Sequence, residues 1–273
     1  MKIVVPIDFT TVTENALRYA IGLTDVLGVS DILLFHVTAS DKETVAANGK
    51  LNELIIKYKV ETTAVLTSVT KTGNIFDEIG KTAAELQASI IVMGTHGIQG
   101  MQRILGSRAM KVITNSETPY IVVQQLPYRP VKRILIPIDF TREVKQLLPM
   151  LQTLNEKFHA KFYLVSQEAK DEFIQKKVDN NVAYFKSYLN DNNIAFEEVG
   201  TYSSSKYKVV IPHAKNTNAD LIVTTIDPET NITDYIMGVD EQKIVANELQ
   251  LPVLCVNVKH YMNRKGNVFE YTF

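Results

Sequence analysis

A single cysteine, Cys255, stands in 273 residues. That excludes an intrachain disulfide and any cysteine-rich metal site. Surplus charge is missing as well: 29 Lys and Arg face 30 Asp and Glu, a formal net charge of −1. Without a basic field the chain has no global means of gathering nucleic acid or anionic lipid. No apolar run approaches the roughly 20 residues that span a bilayer. The opening MKIVVPIDF is apolar only briefly. Pro6 and Asp8 interrupt it and no small-residue cleavage site follows, so it reads as a first strand, not a signal peptide. His213 and His260 lack metal-ligand spacing with other histidines, so no zinc site is expected. Together these absences predict a cytoplasmic globular protein with neither membrane nor nucleic acid among its partners.

What the chain does have is a core and a repeat. Hydrophobic residues make up 45% and charged residues 22%, ordinary for a protein with a packed interior. The length suits one large domain or two small ones. Lys2–Phe9 read KIVVPIDF and Arg133–Phe140 read RILIPIDF. Further on, SIIVMGTHG (Ser89–Gly97) stands opposite DLIVTTIDP (Asp220–Pro228). ILGSRAMKVITN (Ile104–Asn115) stands opposite IMGVDEQKIVAN (Ile236–Asn247), and each copy then reaches a proline and a short apolar run. Matches at both ends and in order point to a tandem duplication. QLPYRPVK (Gln125–Lys132), with two prolines, reads as an extended connector. The expected domains are residues 1–126 and 130–273, the second carrying a C-terminal extension.

Within the first copy Ile3–Ile7, Ile32–Val37, Thr63–Val69, Ile90–Met93 and Tyr120–Val123 are short, β-branched apolar runs. Such runs suit strands buried on both faces of a parallel sheet. Helical spacing lies between them. Thr11 and Glu14 read as a capping box that opens a helix, and Gly28 as its stop. Asn74 and Asp77 open another helix, with Ile75, Ile79, Ala83 and Leu86 on one stripe. The expected fold class is α/β: two tandem doubly wound domains, each with a roughly five-stranded parallel sheet flanked by helices. In the second copy Pro212 falls inside the expected third helix, where it removes a backbone bond or marks a late start. His36 is expected as a satisfied core histidine and Cys255 as a small core residue. The mixed-charge stretches DKETVAANGKLNEL and EAKDEFIQKKVDNNVAYFKSYL read as solvated helix faces.

In such a sheet ligands bind beyond the carboxyl ends of the strands, where strand order reverses. Three segments of the first copy should meet there: Pro6-Ile7-Asp8, His36-Val37-Thr38, and the glycine-rich run from Gly94 through Gly97 and Gly100 to Gly106-Ser107. Glycines let backbone N–H groups approach an anion, and a helix starting near Gly106-Ser107 adds its dipole. The run is neither a Walker loop nor a G-x-G-x-x-G fingerprint. Arg103 and Arg108 could clamp a phosphate or simply turn to water. Asp8 could orient a ligand or end a strand, and its repetition as Asp139 gives it a structural share. His96 reads as a neighbour of the loop, with no carboxylate partner placed for proton transfer.

These residues resemble the universal stress protein family, and the resemblance spans essentially the whole chain as two copies. It implies a Rossmann-like fold of the adenine nucleotide alpha hydrolase kind. ATP-binding members of that family carry G-x-x-G, nine residues, then G-[ST]. Here Gly94, Gly97, Gly106 and Ser107 fit, but only eight residues, Ile98–Leu105, intervene. The resemblance implies that Asp8 and the Val37 backbone face adenine and ribose, with Pro6 beside them. It further implies that Met93 and Gly94 line the sugar, and that Gly97, Gly106, Ser107 and the Arg108 amide hold phosphates. The implied ligand is an adenine nucleotide, ATP favoured, with Mg2+ left open. In the second copy Thr225 and Pro228 replace the loop glycines, and Val239 and Asp240 follow Gly238, so no nucleotide is expected there.

Single-domain members typically pair through the last strand, which implies an internal pseudo-dimer joining Tyr120–Val123 to Val253–Val256. A homodimer of the whole chain is left open, with Phe269, Tyr271 and Phe273 as a candidate contact. Three function classes stand: a nucleotide-binding stress-response regulator, a nucleotide-independent interaction scaffold with an unknown protein partner, and a slow ATPase. The first leads because four loop residues survive together, and no placed base or metal cluster supports an enzyme.

Overall fold

The computed structural model describes residues 1–95, 116–141, 143–203, 205–226 and 239–257. The first half runs β1 (Lys2–Pro6), α1 (Thr11–Leu27), β2 (Asp31–Thr38), α2 (Asp41–Tyr58), β3 (Val65–Thr72), α3 (Ile75–Glu85), β4 (Ile90–Gly94) and β5 (Tyr120–Val123). The second runs β6 (Arg133–Ile138), a 3₁₀ turn (Glu143–Leu147), α4 (Leu148–Phe158), β7 (Lys161–Gln167), α5 (Glu172–Asp191), β8 (Phe196–Tyr202), α6 (Lys206–Asn216), β9 (Leu221–Thr225), α7 (Val239–Val245) and β10 (Val253–Val256).

Among the described residues these strands form one ten-stranded sheet in the order β3-β2-β1-β4-β5-β10-β9-β6-β7-β8. Every pairing is parallel except β5 with β10, which is antiparallel with Val253 opposite Val122 and Cys255 opposite Tyr120. The α/β expectation and the junction of the two last strands therefore match the structure. The inner strands are buried along their length because each alternates between two cores. Ile3 and Val5 face one, with α1, α2, α4 and α5; Val4 and Leu33 face the other, with α3 and α6. Each fully buried Val, Leu or Ile contributes on the order of 1.5–3 kcal/mol.

Four details differ from the sequence reading. The third strand runs over Val65–Thr72, not Thr63–Val69, because it is an edge strand whose register follows β2 as far as Thr38 opposite Thr72. Thr11 is the first residue of helix α1 and not its cap; the capping position is Thr10, and it makes no side-chain cap. The Thr10 hydroxyl donates to Asp8 instead, and Glu14 accepts from Lys57 (2.6 Å) and the Tyr58 hydroxyl (2.8 Å). The Lys57 bond chiefly holds the Glu14 carboxyl below its ordinary pKa. Leu86 lies just beyond α3 and is 37% exposed. His36 is half-buried, not core: its Nδ1 donates to the Ile7 carbonyl at 2.6 Å.

Pro212 sits inside α6 without delaying it; the Ser205 hydroxyl caps the helix by accepting from the Lys208 N–H. The charged stretches are solvated helices that bury only Ala47, Leu51, Leu54 and Tyr58 in α2, and Val178, Asn181, Phe185 and Leu189 in α5. The segment from Gln125 to Lys132 is docked along α1. Asn15 donates to the carbonyls of Gln124 (2.7 Å) and Leu126 (2.9 Å), and Tyr128 packs over Gly22 and edge-on to Tyr19. Any Cβ at Gly22 would lie 2.3 Å from the Tyr128 ring, so glycine is required there.

Cys255 is buried in β10, and burial pushes its thiol pKa up. The thiolate is the reactive form. A thiol-specific reagent such as Ellman's reagent is expected to leave the native protein unlabelled and to label it fully after denaturation. Rapid labelling of native protein would show that the β5–β10 junction opens.

Candidate functional site

The strand order reverses between β1 and β4 in the first half, since β2 and β3 lie to one side and β5 to the other. A crevice at the carboxyl ends of β1 and β4 follows from that topology. Asp8 lies two residues past β1. Its Oδ1 accepts from Thr10 N–H (2.9 Å), the Thr10 hydroxyl (2.6 Å) and the Thr13 hydroxyl (2.9 Å). This is an Asx turn reinforced by a hydroxyl from the first turn of α1. Its Oδ2 carries none of these bonds.

The next residue, Phe9, has φ 65°, the left-handed region that a bulky side chain rarely adopts. Strain of this kind costs on the order of 1–3 kcal/mol and persists where the surroundings fix it. Here the Asp8 turn fixes one side, and the Phe9 ring rests 4.6 Å from the His36 imidazole on the other. A carbonyl only accepts, so the His36 Nδ1 carries the proton in its bond to Ile7.

The remaining predicted residues that the structure describes lie at the same end of the sheet. Pro6 closes β1 and Val37 is half-buried near the end of β2. The Met93 side chain is buried in the core layer with Ile79, which leaves only its backbone for a ligand. Gly94 ends β4 against the first turn of α1, where any Cβ would lie 2.5 Å from the Val12 carbonyl oxygen. Glycine at 94 thus has a packing cause whatever binds beside it. Gly97, Arg103, Gly106, Ser107 and Arg108 lie outside the described residues, as do His96, the replaced loop Pro228–Gly238, His260 and the tail bearing Phe269, Tyr271 and Phe273.

One group escaped the sequence reading. Thr95, next after Gly94, is fully buried and its hydroxyl has no hydrogen-bond partner. A buried hydroxyl normally has one. The only sequence signal was its place between two loop glycines.

The second half reverses order between β6 and β9. Asp139 repeats the turn: its Oδ1 accepts from the Thr141 N–H (2.9 Å) and from the Thr141 hydroxyl. Asn181 of α5 donates to the carbonyls of Asp139 and Thr141, both at 2.8 Å. Asp139 Oδ2, however, lies 3.6 Å from the Lys206 ammonium. A separate cleft of about 770 Å³ opens beside β7 and β8, but its polar groups pair among themselves, Lys186 with Glu198, Thr201 with Glu168 and Gln175 with Asp179. Among the described residues no cluster of His, Cys, Asp and Glu could hold a metal ion, and no helix is long and apolar enough to cross a membrane.

Comparison with known proteins gives this arrangement a lineage. A family model described as "Universal stress protein family" matches residues 1–124. A universal stress protein of Methanocaldococcus jannaschii is 30% identical over 139 residues, covering 45% of this chain and 82% of that protein. The chain belongs to the universal stress protein family. Solved structures extend the likeness of fold over both halves. A universal stress protein from Archaeoglobus fulgidus aligns with a TM-score of 0.76 at 18% identity, covering 94% of this chain and 98% of its own. A protein from Pseudomonas aeruginosa described as a putative universal stress protein aligns at 0.63 and 14% identity, covering 96% of each chain. For this universal stress protein the ten-stranded arrangement is therefore a fold that solved structures share.

Proposed function

We infer that the first half is a regulatory module that holds an adenine nucleotide, ATP favoured, in the crevice between β1 and β4, while the second half is structural. The observation that carries this reading is Asp8: one carboxylate oxygen is spent on the turn, and the other carries none of the turn's bonds. A carboxylate so fixed accepts a hydrogen bond from a ribose hydroxyl or an exocyclic amine without reorganising. The unpartnered Thr95 hydroxyl gives a second polar group suited to a ligand at the end of β4. The Val37 backbone would meet the base, and the run from Gly97 to Arg108 would meet the phosphates, Arg103 and Arg108 adding charge. Asp139 does not offer the same oxygen, because Lys206 already stands beside it.

The test is the nucleotide content of the purified protein, read by mass spectrometry after denaturation and removal of the chain. Near-stoichiometric adenine nucleotide, lost in Gly106→Trp, is expected. A protein that purifies empty and releases no heat on titration with Mg-ATP would overturn the reading and leave the interaction scaffold.

A further inference from the structure

Both halves build the same acidic turn, yet they complete it differently. Among the described residues Asp8 is fixed through Oδ1 alone, whereas Asp139 is fixed through Oδ1 and has the Lys206 ammonium 3.6 Å from Oδ2. Lys206 is the first residue of α6 and only 8% exposed. The first residue of α3, in the same place in the first half, is Ile75, which has no charge to offer. A cation in the first turn of a helix opposes the helix dipole. Burying an ammonium is costly unless an anion meets it. Lys206 accepts both penalties, and Asp139 is what offsets them.

The surroundings follow suit. Tyr202, at the end of β8 and 4% exposed, has a hydroxyl with no partner. Burial, then the nearby carboxylates of Asp139, Glu241 and Asp240, push its pKa up, so it remains a neutral phenol. The Ser205 hydroxyl donates to Asp240 at 2.7 Å, tying α6 to α7. The charged groups at this end of the second half are thus met from within the chain, Lys206 by Asp139 and Asp240 by Ser205, while the Tyr202 hydroxyl is left without a partner.

We propose that Lys206 is a built-in occupant of the second crevice, its ammonium taking against Asp139 the place that a ligand's hydrogen-bond donor takes against Asp8. The second half is then permanently filled, and the pair Ile75 and Lys206 decides which half accepts a ligand. The statement about the first half rests on the nucleotide reading above; the statement about Lys206 does not.

Lys206→Ala leaves Asp139 facing a space shaped for a primary alkylammonium ion. Its melting temperature is expected to fall by roughly 5–10 °C. Added n-propylammonium chloride should recover at least half of that loss, while sodium chloride and tetramethylammonium chloride at equal ionic strength should not. The double variant Asp139→Asn with Lys206→Ala should gain nothing from the amine. Wild-type stability in Lys206→Ala, or equal recovery in the double variant, overturns the proposal. Should Lys206→Ala fail to fold, Lys206→Met keeps the stem and removes only the charge; a melting temperature equal to wild type there has the same consequence.

A second arm reads the first half. Ile75→Lys, confirmed as folded by circular dichroism, is expected to purify with nucleotide at background level. Full occupancy in that variant sinks the claim that this position selects the half. Wild-type protein that carries no nucleotide overturns the reading of the first half, and the amine experiment still decides the role of Lys206.

Discussion

Gly94→Val is expected to yield a protein about 3 kcal/mol less stable than wild type, melting roughly 6–12 °C lower. A Cβ at residue 94 would approach the Val12 carbonyl oxygen to 2.5 Å and the Val12 carbonyl carbon to 2.9 Å. Overpacking typically costs about 1–3 kcal/mol when a side chain can yield. Here the obstacle is main chain at the start of α1, a helix that also supplies Thr13 to Asp8 and Asn15 to the connecting segment. Moving it disturbs the core and the crevice together. Equilibrium urea unfolding measures the loss, and a midpoint equal to wild type would show that α1 slides freely. The same geometry warns that nucleotide lost from Gly94→Val would not locate the ligand, since the scaffold changes too. Gly106, outside the described residues, is the position whose substitution tests the ligand in the nucleotide-content experiment.

The second large effect belongs to Asn247, at the turn before β10. Its side-chain amide donates to the carbonyls of Ile244 and Leu251, both at 2.9 Å, and its Oδ1 accepts from the Leu251 N–H at 3.0 Å. Its own carbonyl accepts from the Gln124 side chain at 2.9 Å, across from the first half. Asn247 and Gln124 are both buried, and Leu251 is half-buried. Asn247→Ala removes the three side-chain bonds and strands main-chain groups away from water, at about 1–3 kcal/mol for each unsatisfied group. A total loss of about 3–5 kcal/mol is expected. Hydrogen exchange should show protection lost first along β5 and β10. Unchanged protection there, or a loss below about 1 kcal/mol, would mean that the turn is held by its packing alone.

The fold was largely legible because the repeat and the strand pattern reinforce each other. KIVVPIDF and RILIPIDF fall on β1 and β6, and Tyr120–Val123 is β5 to the residue. Such runs are readable because inner strands bury both faces. The pattern failed at β3, where an edge strand exposes one side and its threonines and lysine carry no apolar signal. The capping box failed for a different reason. Thr11 is the first residue of the helix and not its cap, the Thr10 hydroxyl before it is taken by Asp8, and a tertiary partner, Lys57, claims Glu14. Local rules do not see such rivals.

At the site, Asp8 and Gly94 were singled out, but their causes were only half visible. Spacing cannot show that Val12 passes over Gly94, nor that Asp8 spends one oxygen on its own turn. Lys206 was unreadable, because 67 positions separate it from Asp139 and nothing in KYKVV marks a buried ammonium. Asn247 had one signal, its repetition as Asn115, which lies outside the described residues.

The antiparallel pairing of β5 with β10 places the contact between halves inside a single chain. An association between separate chains is governed by mass action and weakens on dilution. Here the connecting segment fixes the local concentration of one edge about the other, whatever the protein concentration in solution. The joint therefore cannot be tuned by expression level, and its two sides were free to diverge because neither had to match a copy of itself. A crevice on one side and a lysine filling its counterpart is the asymmetry that such freedom permits.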